Sequence, residues 1–348
     1  MKTIEVNASG KYKVHIGSGI LNRAAEITLE VKKPCEAVIV SDDIVYSIYG
    51  KRVRSLYEAA GFSVKSFVFP NGESSKNMET ITGLLEFMAE EKLTRTDLLL
   101  ALGGGVTGDM TGFAAAVYLR GIDYLQIPTT LLAAVDSSVG GKTGVDLAAG
   151  KNLAGSFHQP ISVICDTEVF KTLPKEIFLD GLCEAVKCGC ISDKNLFNML
   201  LEGNIDDRID EIVAACVNIK RELVEKDEFD TAERQLLNFG HTVAHAVEVL
   251  SGYMISHGRA VAMGMVIMAH GEEKQRISEL FTKYGVDINC PFSAKELAQK
   301  AMSDKKRGGK EITVVLLEEI GRAYLKKIGT DKLEELFGEG LRGGIYGC

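Results

Sequence analysis

The chain has 348 residues, 46% of them hydrophobic and 25% charged, a composition that suits an ordinary globular protein of two domains better than one simple core. Its net charge of −8 and pI near 5.5 exclude a broadly basic nucleic-acid or membrane-surface binder, so an anionic substrate needs a local basic pocket. The first residues carry no apolar signal core, no apolar run has the ~18–20 residues of a membrane helix, and the eight cysteines are expected as free thiols, which together predict a cytoplasmic protein with no membrane or nucleic-acid partner.

The opening reads as two short strands, residues 3–6 and 13–16, turning at Ala8-Ser9-Gly10. Strands and helices then alternate. A strand at 38–40 ends at Ser41-Asp42-Asp43, a helix at 53–60 is stopped by Gly61, and a strand at 64–69 is ended by Pro70-Asn71-Gly72. A helix at 78–92 and an apolar strand at 98–102 follow. This alternation predicts a mostly parallel sheet covered on both faces. Beyond about Asp166 helical periodicity takes over, at 174–191, 206–226, 234–250, 259–274 and 294–303, with strand character only at 312–317 and 323–326. The expected architecture is an α/β Rossmann-like nucleotide-binding domain over residues 1–165 and a mainly α-helical, metal- and substrate-binding domain over 166–348. A cleft between two such domains is the natural place for a site.

Gly103, Gly105 and Gly108 fit G-x-G-x-x-G directly after the 98–102 strand. Such a loop either cradles a pyrophosphate at a helix N-terminus or makes a tight strand-to-helix turn. Asp42, at the end of an earlier strand, suits a ribose hydroxyl or a helix N-cap. Lys142, in Gly140-Gly141-Lys142-Thr143-Gly144, joins Lys151 and Asn152 as a candidate phosphate or carboxylate site; lysines on a glycine-rich loop can equally face solvent. His241 and His245 are spaced i, i+4 on one helix face and His257 opens the next helical run, a grouping suited to a metal. Glu184 and Lys187 lie one turn apart on an earlier helix. Cys183, Cys188 and Cys190 match no common zinc spacing and read as buried thiols.

Taken in order, these segments resemble the 3-dehydroquinate synthase family from about Asp42 to Gly321. The most specific pieces are residues 128–133 with 136–144, 150–152 with 157–160, 181–187, and 238–245 with His257-Gly258. The resemblance implies the fold of that family, with Glu184, His241 and His257 holding zinc or cobalt and His245 acting outside the ligand set. For NAD it implies Asp42, the stretch Asn71-Gly72-Glu73-Ser74-Ser75-Lys76 and the stretch Gly104-Gly105-Val106-Thr107-Gly108-Asp109. Thr129, Thr130, Asp136, Lys142, Lys151 and Val169-Phe170-Lys171-Thr172 complete that implied site. For substrate it implies Asp136, Lys142, Asn152, Lys187, Lys220, Arg234, Asn238 and the pair Lys305-Lys306, with Arg120 reaching the phosphate from a neighbouring subunit of a homodimer.

The implied substrate is 3-deoxy-D-arabino-heptulosonate 7-phosphate (DAHP). The implied reaction is transient oxidation at C5 by NAD, β-elimination of phosphate, return of the hydride, ring opening and an internal aldol closure to 3-dehydroquinate. Three positions depart from the family pattern. Arg259 and Asp230 stand where Glu is usual, and Val243-Ala244 replaces Phe-Gly between the histidines. Arg259 either faces solvent or retunes the surroundings of the ligands. The rival readings are a metal-dependent polyol or glycerol dehydrogenase, another cyclase such as 2-deoxy-scyllo-inosose synthase, and a catalytically dead nucleotide- or phosphosugar-binding protein.

Overall fold

The computed structural model of the chain describes residues 1–304 and 311–342. By internal contacts the chain falls into two units, Met1–Pro174 with Ile209–Phe229, and Lys175–Arg208 with the chain from Asp230 onward. The first unit thus runs on to Pro174 and also takes in Ile209–Phe229.

The first unit carries nine strands: β1 (Lys2–Asn7), β2 (Lys11–Gly17), β3 (Glu36–Asp42), β4 (Ser63–Phe69), β5 (Leu98–Gly103), β6 (Asp123–Pro128), β7 (Lys142–Leu147), β8 (Gly150–Phe157) and β9 (Ser162–Asp166). Seven form one sheet in the order β1-β2-β9-β6-β5-β3-β4, parallel except for β1. Interior strand β5 is buried at every position, which is why Leu98 to Leu102 is an unbroken apolar run rather than an alternation. β7 and β8 pair as an antiparallel hairpin, so Lys142 opens a strand instead of riding a loop. The helices are α1 (Ala24–Leu29), the single turn α2 (Asp43–Val45), α3 (Lys51–Ala59), α4 (Met78–Glu90) and α5 (Gly105–Val117). Asn77 caps α4 by accepting from Thr80 N at 2.9 Å, and Ile81, Leu84 and Met88 form its buried stripe. They join Val38, Val40, Leu99, Met110 and Tyr124 in one core.

The second unit begins with α6 (Lys175–Ser192) and α7 (Lys194–Glu202); α8 (Ile205–Lys226) then carries the chain back to the first unit from Ile209. It resumes with α9 (His241–Leu250), α10 (His257–Met268), α11 (Gly271–Tyr284), α12 (Ala294–Asp304), the hairpin β10 (Glu311–Glu319) and β11 (Arg322–Gly329), and α13 (Leu333–Arg342). The periodic run at 234–250 is two elements, a 3-10 turn Glu233–Asn238 and α9, divided at Gly240 with φ 79°. The run at 259–274 is likewise divided, at Ala269-His270, between α10 and α11. Apolar periodicity continues across both breaks, because both sides of each break contribute buried side chains; the left-handed Gly240 is what interrupts the first. No helix among the described residues is long and apolar enough to cross a membrane.

Candidate active site

Three helices of the second unit converge because glycines remove the atoms that would hold them apart. A Cβ on Gly264 of α10 would collide with the Gly240 carbonyl oxygen, and one on Gly240 would lie 2.8 Å from Met265 N. A Cβ on Gly258 would collide with the backbone of Asp180 on α6. Two of these glycines adjoin the histidines, as Gly240-His241 and His257-Gly258, so close packing delivers both imidazoles to α6.

Glu184 waits there with no solvent exposure, in a stretch of α6 buried continuously from Gly181 to Ile191. A carboxylate so placed requires charged or hydrogen-bonding partners. Its Oε1 lies 3.4 Å from His257 Nε2 and 3.7 Å from His241 Nε2, and its Oε2 pairs with the Lys187 ammonium. One ligand atom from each of Glu184, His241 and His257 lies within 4.8 Å of the others. His241 Nδ1 sits 3.2 Å from the Phe239 carbonyl, which can only accept, so that nitrogen carries the hydrogen and Nε2 turns its lone pair to Glu184. His257 Nδ1 is 3.4 Å from Glu248 Oε1.

Burial, and then the nearby Lys187 ammonium, hold the His241 imidazole down to about 3. Burial acts the same way on His257, but hydrogen bonds to Glu184 and Glu248 outweigh it and raise that imidazole to about 10. One imidazole is thus a neutral donor and the other holds a proton that a cation would displace. One carboxylate and two imidazoles fit a divalent metal of the zinc type, with positions left for substrate or water.

Around this group the structure gathers several other expected residues. His245 is exposed, its ring centroid 5.7 Å from that of His241. Lys187 is buried against Glu184. Arg234 (buried) and Asn238 (exposed) lie on the 3-10 turn leading into α9. Cys183, Cys188 and Cys190 are free and buried, and burial pushes the Cys183 and Cys190 thiols well up, away from the thiolate a metal takes. Arg259 neither faces solvent alone nor brings bare charge: its Nε donates to the Asp287 carbonyl at 3.1 Å and its guanidinium pairs with the Asp287 carboxylate. Asp230 sits in a left-handed turn at φ 59°. Val243 and Ala244 are both fully buried, so that pair packs the core.

Two residues escaped the sequence reading. Glu248 lies behind His257, seven positions after His241. Asp180 accepts from Ser256 Oγ at 2.6 Å and from the backbone N–H groups of Gly258 and Arg259, capping α10 from a different helix. Spacing from His241 was the one available signal for Glu248; a cap supplied across two helices leaves none.

In the first unit, all the expected cofactor residues but Lys142 and Lys151, which lie in the β7–β8 hairpin, are at or after the C-terminal ends of parallel strands. Asp42 ends β3, Asn71 to Lys76 follow β4, Gly104 to Asp109 follow β5, Thr129 to Asp136 follow β6, and Val169 to Thr172 follow β9. Ligands of open α/β sheets bind at this edge. α5 starts at Gly105, presenting its first N–H groups there. A Cβ on Gly104 would stand 3.1 Å from Thr130 and one on Gly105 3.1 Å from Ser137 Oγ, so both glycines let the turn approach those two side chains closely. Gly108 instead lets α5 pack on Gln126. The buried Thr129 hydroxyl has no hydrogen-bond partner among the described residues, as suits a group meant for a ligand.

Lys76 is buried, with Nζ 2.7 Å from both Asp109 Oδ2 and Asn152 Oδ1. Lys220 on α8 donates to the Asp136 main-chain carbonyl and lies 2.6 Å from its Oδ1. Lys151 lies 3.6 Å from Glu73. Lys142 is exposed at the start of β7. Asp42 accepts from Val45 N at 2.9 Å, so its N-cap role is realised. Thr172 Oγ1 meets the Tyr49 hydroxyl at 2.8 Å, anchoring the 3-10 turn Thr167–Thr172. Arg120 is exposed in a turn where Leu119, Arg120 and Gly121 all have positive φ, of 48°, 68° and 124°. Lys305 and Lys306 lie outside the described residues.

A parallel-sheet unit with a glycine turn at its strand ends, in one chain with a helical unit carrying a buried carboxylate–imidazole cluster, has the features of a nucleotide-binding enzyme with a candidate metal site. Residues 66–180 match the 3-dehydroquinate synthase N-terminal family and residues 181–307 the 3-dehydroquinate synthase C-terminal family. The chain is 40% identical to the 3-dehydroquinate synthase of Clostridium kluyveri, over 97% of this chain and 98% of that one. The chain therefore belongs to the 3-dehydroquinate synthase family. Its fold is shared with 2-deoxy-scyllo-inosose synthase, solved with carbaglucose-6-phosphate, NAD+ and Co2+ (TM-score 0.86, 26% identity, 98% of this chain and 100% of that one). It is also shared with the 2-epi-5-epi-valiolone synthase ValA of Streptomyces hygroscopicus, solved with NAD+ and Zn2+ (TM-score 0.86, 24% identity, 98% and 99% coverage).

Proposed function

We propose that the chain is a carbon–oxygen lyase that converts DAHP into 3-dehydroquinate and phosphate, the second step of the shikimate pathway, using NAD and zinc or cobalt. The observation that carries this reading is the buried group Glu184, His241 and His257 in a chain 40% identical to a 3-dehydroquinate synthase over nearly its whole length. The ions solved in the two structural relatives support zinc or cobalt.

Glu184 Oε1 and the Nε2 atoms of His241 and His257 would hold the metal, and the strand-end cradle from Asp42 to Thr172 would hold NAD. Bound there, NAD would supply reversible hydride acceptance at C5 of the substrate, and the metal would supply Lewis acidity to the hydroxyl at that carbon. The chain's own residues bind and orient. Lys142, Asn152, Lys187, Arg234 and Asn238, with Lys305 or Lys306, supply donors and positive charge for the phosphate and carboxylate, and the charge steadies anions that develop during elimination. The ion pair Lys220–Asp136 fixes the Asp136 carboxylate beside the cradle. His245, exposed beside His241, relays the proton of the C5 hydroxyl. The leaving phosphate can itself accept the C6 proton, so no further protein base is required.

Arg120 serves the neighbouring site of a homodimer; its exposure on a strained turn supports this. Among the described residues Cys35, Cys165, Cys183, Cys188, Cys190, Cys216 and Cys290 form no disulfide, which suits the reducing cytoplasm. Small molecules, rather than nucleic acid or membrane, are the partners. Formation of 3-dehydroquinate from DAHP by the purified chain, lost on chelation and restored by zinc or cobalt, tests this reading; no 3-dehydroquinate under any metal overturns it.

A further inference from the structure

We infer that Glu248 is a positioning residue for His257, holding the imidazole so that Nε2 faces Glu184. This rests on the reading of Glu184, His241 and His257 as a metal site. Glu248 is 4% exposed on α9, seven residues after His241 and so on the same helix face two turns along. A carboxylate buried to that degree demands a partner. Its Oε1 lies 3.4 Å from His257 Nδ1, while His257 Nε2 lies 3.4 Å from Glu184 Oε1. The ring from α10 is therefore gripped at its two nitrogens by carboxylates from two other helices. Glu248 stands outside the group that can ligate one ion.

His241 has the matching arrangement with a different partner, the Phe239 main-chain carbonyl at 3.2 Å. That restraint is built into the backbone; the one on His257 depends on a single side chain. A carboxylate on Nδ1–H fixes the tautomer and makes Nε2 the better donor, and removing such a partner typically costs about 10–100-fold in metal affinity.

The test is titration of the full-length, chelator-stripped chain with Co2+, read by the visible absorption of the ion and by its affinity. The chains compared are wild type, Glu248→Gln, Glu248→Leu and His241→Ala. Wild type is expected to bind and His241→Ala to lose binding. Glu248→Leu is expected to bind about 10–100-fold more weakly with a shifted spectrum. Glu248→Gln, whose amide oxygen still accepts from Nδ1–H, falls between. Unchanged affinity in Glu248→Leu, beside loss in His241→Ala, overturns the inference and leaves the metal site standing. No Co2+ binding by wild type, or full binding by His241→Ala, overturns the metal site and the inference with it. If the leucine chain does not fold, Glu248→Gln decides: several-fold weaker binding supports the inference, and wild-type affinity overturns it.

Discussion

The Gly240 carbonyl oxygen lies against Gly264, so close that a Cβ there would collide with it. The contact locks α9 to α10 and with them His241 to His257, whose ring centroids are 5.4 Å apart. Gly264→Ala is therefore expected to force the helices apart. Overpacking of this kind costs about 1–3 kcal/mol, to be read from urea unfolding, and Co2+ affinity should fall in the same variant. Wild-type stability and affinity together would show that the contact does not set the site.

Glu184→Gln removes both a proposed metal ligand and the counter-charge of buried Lys187. Breaking a buried ion pair by deleting one partner costs about 3–5 kcal/mol. Loss of metal binding together with a stability loss of that order is the expected outcome, measured by Co2+ titration and by denaturant unfolding of the metal-free chains. The double variant Glu184→Gln with Lys187→Met should recover part of the stability and none of the metal binding.

Much of this was legible in the chain because the chemistry is local. The apolar strand before Gly103, the i, i+4 histidines and the glycines beside His241 and His257 are all patterns over a few residues. The helical span at 234–250 was misread as continuous, because both sides of Gly240 contribute buried side chains and only its left-handed backbone breaks the run. The contacts that depend on the fold left no pattern. Lys76 meets Asp109 and Asn152 across separations of 33 and 76 residues, and Lys220 meets Asp136 across 84. The Asp180 cap on α10 spans 76 residues to Ser256. Arg259 meets its counter-charge, the Asp287 carboxylate, 28 positions on.

Lys76→Met tests the cofactor cradle apart from the metal. The change leaves Asp109 and Asn152 without the ammonium that joins them. Hydrogen bonds to charged groups are worth about 1.5–3 kcal/mol, so NAD+ affinity should fall by about 10–100-fold. Calorimetric titration with NAD+ gives this directly. Co2+ affinity should not change; a parallel loss of both would mean general damage to the fold.

In the proposed homodimer, Arg120→Ala and His245→Ala should each inactivate a shared site from a different subunit. Mixing the two chains through unfolding and refolding restores one intact site per mixed dimer, so about a quarter of wild-type activity should return. Activity that never returns, with mixed dimers present, would place Arg120 at its own chain's site.

The most direct measurement is product formed per NAD. The purified chain, with zinc, DAHP and NAD+ well below the substrate concentration, is followed for phosphate, 3-dehydroquinate and absorbance at the NADH band. Phosphate and 3-dehydroquinate in equal amounts, many-fold above NAD+ and with no lasting NADH, are expected of a lyase that returns its hydride. NADH accumulating in step with oxidation of glycerol-like alcohols, with no phosphate released from DAHP, would contradict it and identify a dehydrogenase.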